Sequence, residues 1–145
     1  MASKKEIGLD ELPGFLFRRL HQLATARVAV KMENIALTPI QWAALMTISR
    51  RPGHDQSTLS REIFIDTSTI AGVLDRIEAR GLIQRKPSPA DRRLRLLYPT
   101  SEGESLLNDA TVEVLEMQAW LLEPLSAEER TAFMGLMLKL LHRRE

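Results

Sequence analysis

Between Arg76 and Arg95 the chain gathers side chains that suit a polyanion: Arg76, Arg80, Arg85, Lys86, Arg92, Arg93 and Arg95, against only Asp75, Glu78 and Asp91. The whole chain has a formal net charge of only +1, so this basic cluster is local. Acidic residues collect further on, at Glu102, Glu104, Asp109, Glu113, Glu116 and Glu123. A local basic patch points to a polyanion better than whole-chain charge does. Just ahead of the cluster, Asp66-Thr67-Ser68-Thr69 supplies short side chains whose hydroxyls reach phosphates or base edges. A carboxylate is a poor neighbour for a phosphate, so Asp66 is assigned to helix capping. Taken singly, these features also fit a solvated charged face and a run of ordinary caps.

The elements that must position these residues settle the balance. Asp55 caps a short helix with Leu59 and Ile63 inward, and Asp66 or Thr67 starts a second helix. Its apolar stripe is Ile70, Val73, Leu74 and Ile77, and Gly81 stops it. Leu82 to Lys86 reads as a strand, Pro87-Ser88-Pro89-Ala90-Asp91 as a turn, and Leu94 to Tyr98 as the returning strand. This is the order of a helix-turn-helix (55–78) followed by a β-wing (82–98). The N-terminus of the second helix is the end that enters a major groove, which is where short polar side chains are wanted.

The flanks are helical. Residues 1–10 read as a frayed polar tail. A long helix starts between Glu11 and Pro13 and runs to about Glu33, with Leu12, Phe15, Leu16, Leu20, Leu23, Ala24, Val28 and Val30 apolar. Thr38-Pro39-Ile40-Gln41 is a capping box opening a helix whose predicted stripe is Trp42, Ala43, Leu45, Met46 and Ile48. Ser101 with Glu104 predicts a further box, opening a helix to about Glu123. Pro124 breaks it, and Ser126 with Glu129 caps the last helix, with Phe133, Leu136, Met137, Leu140 and Leu141 apolar.

The stretch TLSREIFIDTSTIAGVLDRIEARGLIQRKPSPADRRLRLLYPTSEG resembles the core of the MarR family of bacterial transcription regulators. LDRIEARGLI, the DRR of the wing and the closing PTSEG carry the resemblance, which extends over nearly the whole chain. It implies a homodimer with a winged helix-turn-helix in each half, intertwined through the first helix and the last two. It also implies that Arg93 of Asp91-Arg92-Arg93 enters the minor groove while Asp91 steadies the wing through an arginine such as Arg76. An arginine is favoured there because a narrow minor groove has enhanced negative potential. Arg92 and Arg95 then serve phosphates. Gln56, Ser57, Thr67, Ser68, Thr69, Gly72 and Arg76 complete the expected DNA contacts. The chain departs from many members at Ala71-Gly72, where a basic or large polar residue is usual. Gly72 either permits close approach to DNA or weakens direct readout.

Other chemistries find little support. The chain has no cysteine, so disulfides and thiol redox sensing are excluded. His21, His54 and His142 are far apart in sequence, so no metal or other cofactor is expected. No phosphate-binding loop, dinucleotide fingerprint or nucleophile elbow is present, and an enzyme is not expected. No run of 18 apolar residues and no signal-peptide pattern occurs, so the expectation is a cytoplasmic protein without a membrane span.

One further group of residues admits a ligand. On the first helix Arg18, His21 and Gln22 share a face, and Arg19 lies next to the Phe15 stripe. With Trp42, Leu45 and Met46 as walls, they make a candidate pocket for a small aromatic carboxylate. Interface salt bridges and exposed charges are the alternative. This N-terminal signature is similar to MarR-family repressors of aromatic-acid catabolism, including the nicotinate-degradation type.

The expected architecture is therefore mainly α with a small β-hairpin in one MarR-type domain (1–145). Residues 11–33 and 101–145 are expected to form dimerisation helices, and 38–98 the winged lobe. The expected function is a DNA-binding regulator, most simply a repressor acting on a palindromic duplex. The alternative is a helical protein-interaction module that keeps the winged fold without binding DNA.

Overall fold

In the computed structural model, residues 7–32 and 35–142 are described. Helix α1 (Pro13–Met32) opens on a proline, at a position whose N–H has no intrahelical acceptor. A turn of 3-10 helix (Leu9–Glu11) precedes it, where the polar sequence predicts fraying. The earlier part of that predicted tail, and the predicted helix end at Glu33, lie outside the described residues.

Helix α2 (Pro39–Arg50) begins with the expected reciprocal box. Gln41 N–H donates to Thr38 Oγ1 at 3.2 Å, and Thr38 N–H donates to Gln41 Oε1 at 3.0 Å. Its buried face is Gln41, Ala44, Leu45 and Ile48, spaced as one helical stripe. The predicted stripe is rotated relative to this: Trp42, Ala43 and Met46 are only half-buried. The capping amide of Gln41 occupies the face that an apolar count assigns to its neighbour.

Gly53, at φ 91°, turns the chain out of α2. Its N–H donates to Leu97 O at 2.8 Å. The two-residue strand β1 (His54–Asp55) follows at once. Helix α3 (Gln56–Glu62) is capped by Asp55, which accepts from Thr58 N–H at 2.8 Å. Leu59 is fully buried, whereas Ile63, also expected inward, is half-buried.

Phe64 occupies the turn after α3 with φ 56°, a left-handed conformation that costs a bulky residue about 1–2 kcal/mol. Its side chain is 94% exposed. The turn is held underneath by Ser60, whose hydroxyl donates to Ile65 O.

Helix α4 (Thr67–Ala79) buries the expected Ile70, Val73, Leu74 and Ile77. It ends in a Schellman motif. Gly81 N–H donates to Glu78 O at 2.8 Å and Leu82 N–H to Ile77 O at 2.9 Å. Gly81 supplies the required positive φ of 73°, and Leu82 is buried as the motif demands.

Strands β2 (Ile83–Pro87) and β3 (Arg95–Pro99) form the wing, each one residue later than predicted. The sheet is antiparallel in the order β1-β3-β2, with Arg85 opposite Leu97 and Lys86 opposite Leu96. Buried Leu97 also pairs with His54, so one apolar residue pins both sides of the central strand.

Helix α5 (Ser101–Leu121) does not use the predicted Ser101–Glu104 box. Thr100 caps it instead: Gly103 N–H donates to Thr100 Oγ1 at 3.0 Å and Glu104 N–H to Thr100 O at 2.9 Å. The Glu104 carboxylate is drawn to α2, where Ser49 Oγ lies 2.8 Å from both of its oxygens. Helix α6 (Ala127–Leu141) does open on the expected Ser126–Glu129 box.

The chain divides into two units. Ala29–Glu113 carries the helix-turn-helix, the sheet and the core of Leu45, Ile48, Leu59, Ile70, Leu74, Ile77 and Leu97. The other unit joins the chain up to Val28 with the chain from Val114. Many of its large apolar residues remain exposed, among them Leu16, Phe17, Leu20 and Leu23 on α1 and Leu136, Leu138, Leu140 and Leu141 on α6.

Candidate nucleic-acid interface

Asp66 organises the leading turn of α4. It accepts from Thr69 N–H at 2.8 Å, from Ser68 Oγ at 2.5 Å and from Thr69 Oγ1 at 2.7 Å. The Ser68 hydroxyl first, then the hydroxyl and N–H of Thr69, hold the Asp66 carboxyl well below the usual carboxylate range. The protons of both hydroxyls are thus directed at Asp66. Their oxygens keep lone pairs, so Ser68 and Thr69 face solvent as acceptors rather than donors. In a major groove such acceptors match the amino groups of cytosine or adenine. Thr67 is exposed, and its carbonyl accepts from Gln56 Nε2 at 3.1 Å, which braces the start of α3 against the start of α4. Ser57 is exposed on the first turn of α3.

Gly72 lies along a groove with Ser68, Thr69 and Arg76, closed on its other side by Thr38, Pro39 and Ile40. A Cβ at Gly72 would meet only Arg76 Nη2, at 3.9 Å. The helix packing therefore does not require glycine there.

The basic residues of α4 and the wing fall into two sets. Arg85 is held: its Nη2 lies 2.7 Å from Asp75 Oδ1, its Nη1 3.0 Å from Glu78 Oε2, and its N–H donates to Glu78 Oε1 at 3.2 Å. This clamp ties β2 to α4. Sequence reasoning missed it, although Asp75 and Glu78 at helical i, i+3 spacing are its signal. Arg80 is also engaged, donating to Ala36 O at 2.6 Å. Arg76, Arg92, Arg93 and Arg95 form the other set. They are exposed, and none has a carboxylate partner among the described residues.

Asp91 steadies the wing from within. Its Oδ1 accepts from Arg93 N–H at 2.9 Å and its carbonyl from Leu94 N–H at 3.0 Å, closing the tip as an Asx-type turn. The expected link from Asp91 to Arg76 is replaced by this local one. Ser88, buried at the tip, donates its N–H to Leu94 O at 2.9 Å and accepts from Ala90 N–H at 3.3 Å. Lys86 stacks its ammonium over the Tyr98 ring at 5.1 Å.

The candidate ligand residues fall in both units. On α1, Arg18 lies over the Phe15 ring at 5.4 Å, and Arg18, Arg19, His21 and Gln22 are exposed. Arg27 stacks on Trp120 at 4.9 Å, a pairing that the sequence does not announce. On α2, Trp42 Nε1 donates to Thr111 Oγ1 at 3.3 Å. Met46 is half-buried and Leu45 is wholly within the core. Among the described residues no group of three His, Asp or Glu side chains is placed to hold a metal, and no helix is long and apolar enough to cross a membrane.

Two helices meeting at a tight turn, followed by a hairpin with outward arginines, define a winged helix-turn-helix DNA-binding protein. The MarR family pattern matches residues 37–94. The transcriptional regulator HosA of Escherichia coli O111:H- is 35% identical over 125 residues, covering 86% of this chain and 91% of its own. The chain belongs to the MarR family of transcriptional regulators, and its relatives are named as regulators rather than enzymes.

Two solved structures extend the likeness. The transcriptional repressor CouR, bound to a 23-mer DNA duplex, superposes with a TM-score of 0.88 at 27% identity, over 97% of this chain and 100% of that one. Bordetella bronchiseptica BpsR, whose DNA binding is regulated by 6-hydroxynicotinic acid, superposes with a TM-score of 0.89 at 25% identity, over 95% and 99%.

Proposed function

We propose that this regulator is a homodimeric repressor which grips a palindromic operator and leaves it when a small aromatic carboxylate binds. The observation that carries the DNA reading is the set of exposed, unpaired arginines. Arg92, Arg93 and Arg95 on the wing and Arg76 on α4 share one unit with the hydroxyl-rich start of α4. Arg93 reads the minor groove, Arg92 and Arg95 neutralise phosphates, and Gln56, Ser57, Thr67, Ser68 and Thr69 face the major groove. The exposed apolar residues of α1 and α6 support pairing of two copies, because Phe17, Leu140 and Leu141 line one apolar hollow and large exposed apolar patches mark interfaces.

The effector reading rests on α1 and α2. Arginine suits a carboxylate because its planar fork binds both oxygens, and Trp42 suits an aromatic ring. BpsR, regulated by 6-hydroxynicotinic acid, supports that chemical class. The ligand releases DNA to the extent that it prefers a dimer whose reading heads are not one helical turn apart.

Fluorescence anisotropy on a duplex selected from random sequence by the wild-type protein tests both parts. Arg93→Ala should lose roughly 1–3 kcal/mol of specific binding, whereas Arg95→Ala should weaken all duplexes about equally. Titration with benzoate and hydroxynicotinate should raise the Kd of the wild type, and Arg18→Ala, Arg19→Ala or Trp42→Ala should blunt that response. Failure to select any duplex would favour a protein-interaction module instead.

A further inference from the structure

Phe64 is at odds with its surroundings. It stands in the turn between α3 and α4, its backbone is left-handed at φ 56°, and its side chain is 94% exposed. Glycine would adopt this conformation without strain, and a polar residue would be better solvated. Large aromatic rings are placed where they bury area, yet nothing among the described residues covers this one. The ring and its strain are therefore unrewarded among the described residues, which points to an offset from a bound partner.

The neighbours of Phe64 identify that outside surface. Asp66, two residues on, caps α4, and Thr67 begins it. Gln56 Nε2 reaches Thr67 O at 3.1 Å, so the start of α3 is fixed against the same spot. Ser57, Thr67 and Ser68 nearby are all exposed and polar. No exposed apolar partner adjoins Phe64 in sequence, since Ile63 and Ile65 are both half-buried. A protein-docking surface would extend the apolar patch. A single ring amid hydroxyls and amides matches the edge of a DNA groove, which offers isolated apolar features, the deoxyribose face and the thymine methyl, within a polar frame.

We propose that Phe64 is a DNA-contacting residue that packs on deoxyribose and a thymine methyl at the edge of the major groove entered by α4. This rests on the DNA-binding reading above. The contact adds affinity by burying the ring and neutralises no phosphate.

The test uses the full-length protein and a duplex selected by the wild type. Phe64→Gly should raise the thermal midpoint, because glycine relieves the left-handed strain, while lowering operator affinity roughly five- to tenfold. The slope of log affinity against log salt should not change, because no counterion is released by an apolar contact. Phe64→Leu should retain part of the affinity. Replacing thymine by uracil at the contacted position should weaken the wild type but not Phe64→Gly. A Phe64→Gly protein that is more stable and binds as tightly as the wild type overturns the proposal. So does a reduced salt slope, which would trace the loss to displaced arginines. If the wild type itself selects no duplex, the DNA-binding reading fails, and this proposal with it.

Discussion

Asp66 shows how one carboxylate sets the chemistry of a helix start. By accepting from Ser68, Thr69 and the Thr69 N–H, it completes the start of α4 and turns two hydroxyls into acceptors. Its folded-state pKa is depressed from the ordinary 3.8. The sign follows directly: its stabilisation is complete above the unfolded value and is lost as pH falls through the lower folded value. Asp66→Ala should therefore be less stable than the wild type at neutral pH, with the gap closing in acid below about pH 4. Urea midpoints measured across that range check this, and a gap independent of pH would deny the carboxylate its role. The exposed arginines and the hydroxyls of α4 were legible in the sequence because both are local clusters. Which arginines are free was not, because Arg85 is claimed by two acids on another element.

Two glycines on helices carry opposite instructions at the scale of elements. A Cβ on Gly103 would fall 2.0 Å from Leu82 O, a backbone atom that cannot yield cheaply. A Cβ on Gly72 meets only the far end of Arg76 at 3.9 Å. Gly103→Ala should cost about 1–3 kcal/mol or more through overpacking. Gly72→Ala should gain up to about 1 kcal/mol from helix propensity. Chemical denaturation compares them directly. A loss of operator affinity in the more stable Gly72→Ala protein would mean that DNA, rather than the fold, needs the glycine. The helices were legible because their caps lie within three residues: Thr38 with Gln41, Ser126 with Glu129, Asp66 with Thr69. Strand β1 was not, because its partner Leu97 is remote in sequence and two residues show no period. The Thr100 cap was obscured for the same reason. Ser101-x-x-Glu104 has the right spelling, but Ser49 takes the glutamate.

For the whole molecule, the decisive quantity is the apolar surface left on the unit built from both chain ends. Leu136, Leu140 and Leu141 of α6 are each more than half exposed, and Leu140 and Leu141 line an apolar hollow with Phe17 and Met137. So much uncovered leucine marks a surface that a second copy should cover. Light scattering at micromolar concentration should return about twice 16.4 kDa. Leu140→Glu should dissociate the dimer or unfold it, with operator affinity falling because one copy reads only one half-site. A wild-type monomer that stays folded at that concentration would contradict the pairing. The apolar faces themselves were legible from periodicity. Periodicity marks a face without naming what covers it, and it was the family resemblance that pointed to a second copy.

The carbonyl of Leu82 has a consequence for how the lobe breathes. It accepts from Thr100 N–H at 3.1 Å, Gly103 packs against it, and Leu82 N–H closes the end of α4. One residue thereby fastens α4, the root of the wing and the first turn of α5. Opening any one of the three exposes the other two to solvent. Under native conditions the Leu82 and Thr100 amides should exchange with deuterium as a pair, at one rate set by a single cooperative opening. The wing tip at Asp91–Arg93, tied only to itself, should exchange far sooner. The wing arginines should thus move independently of the frame that carries them.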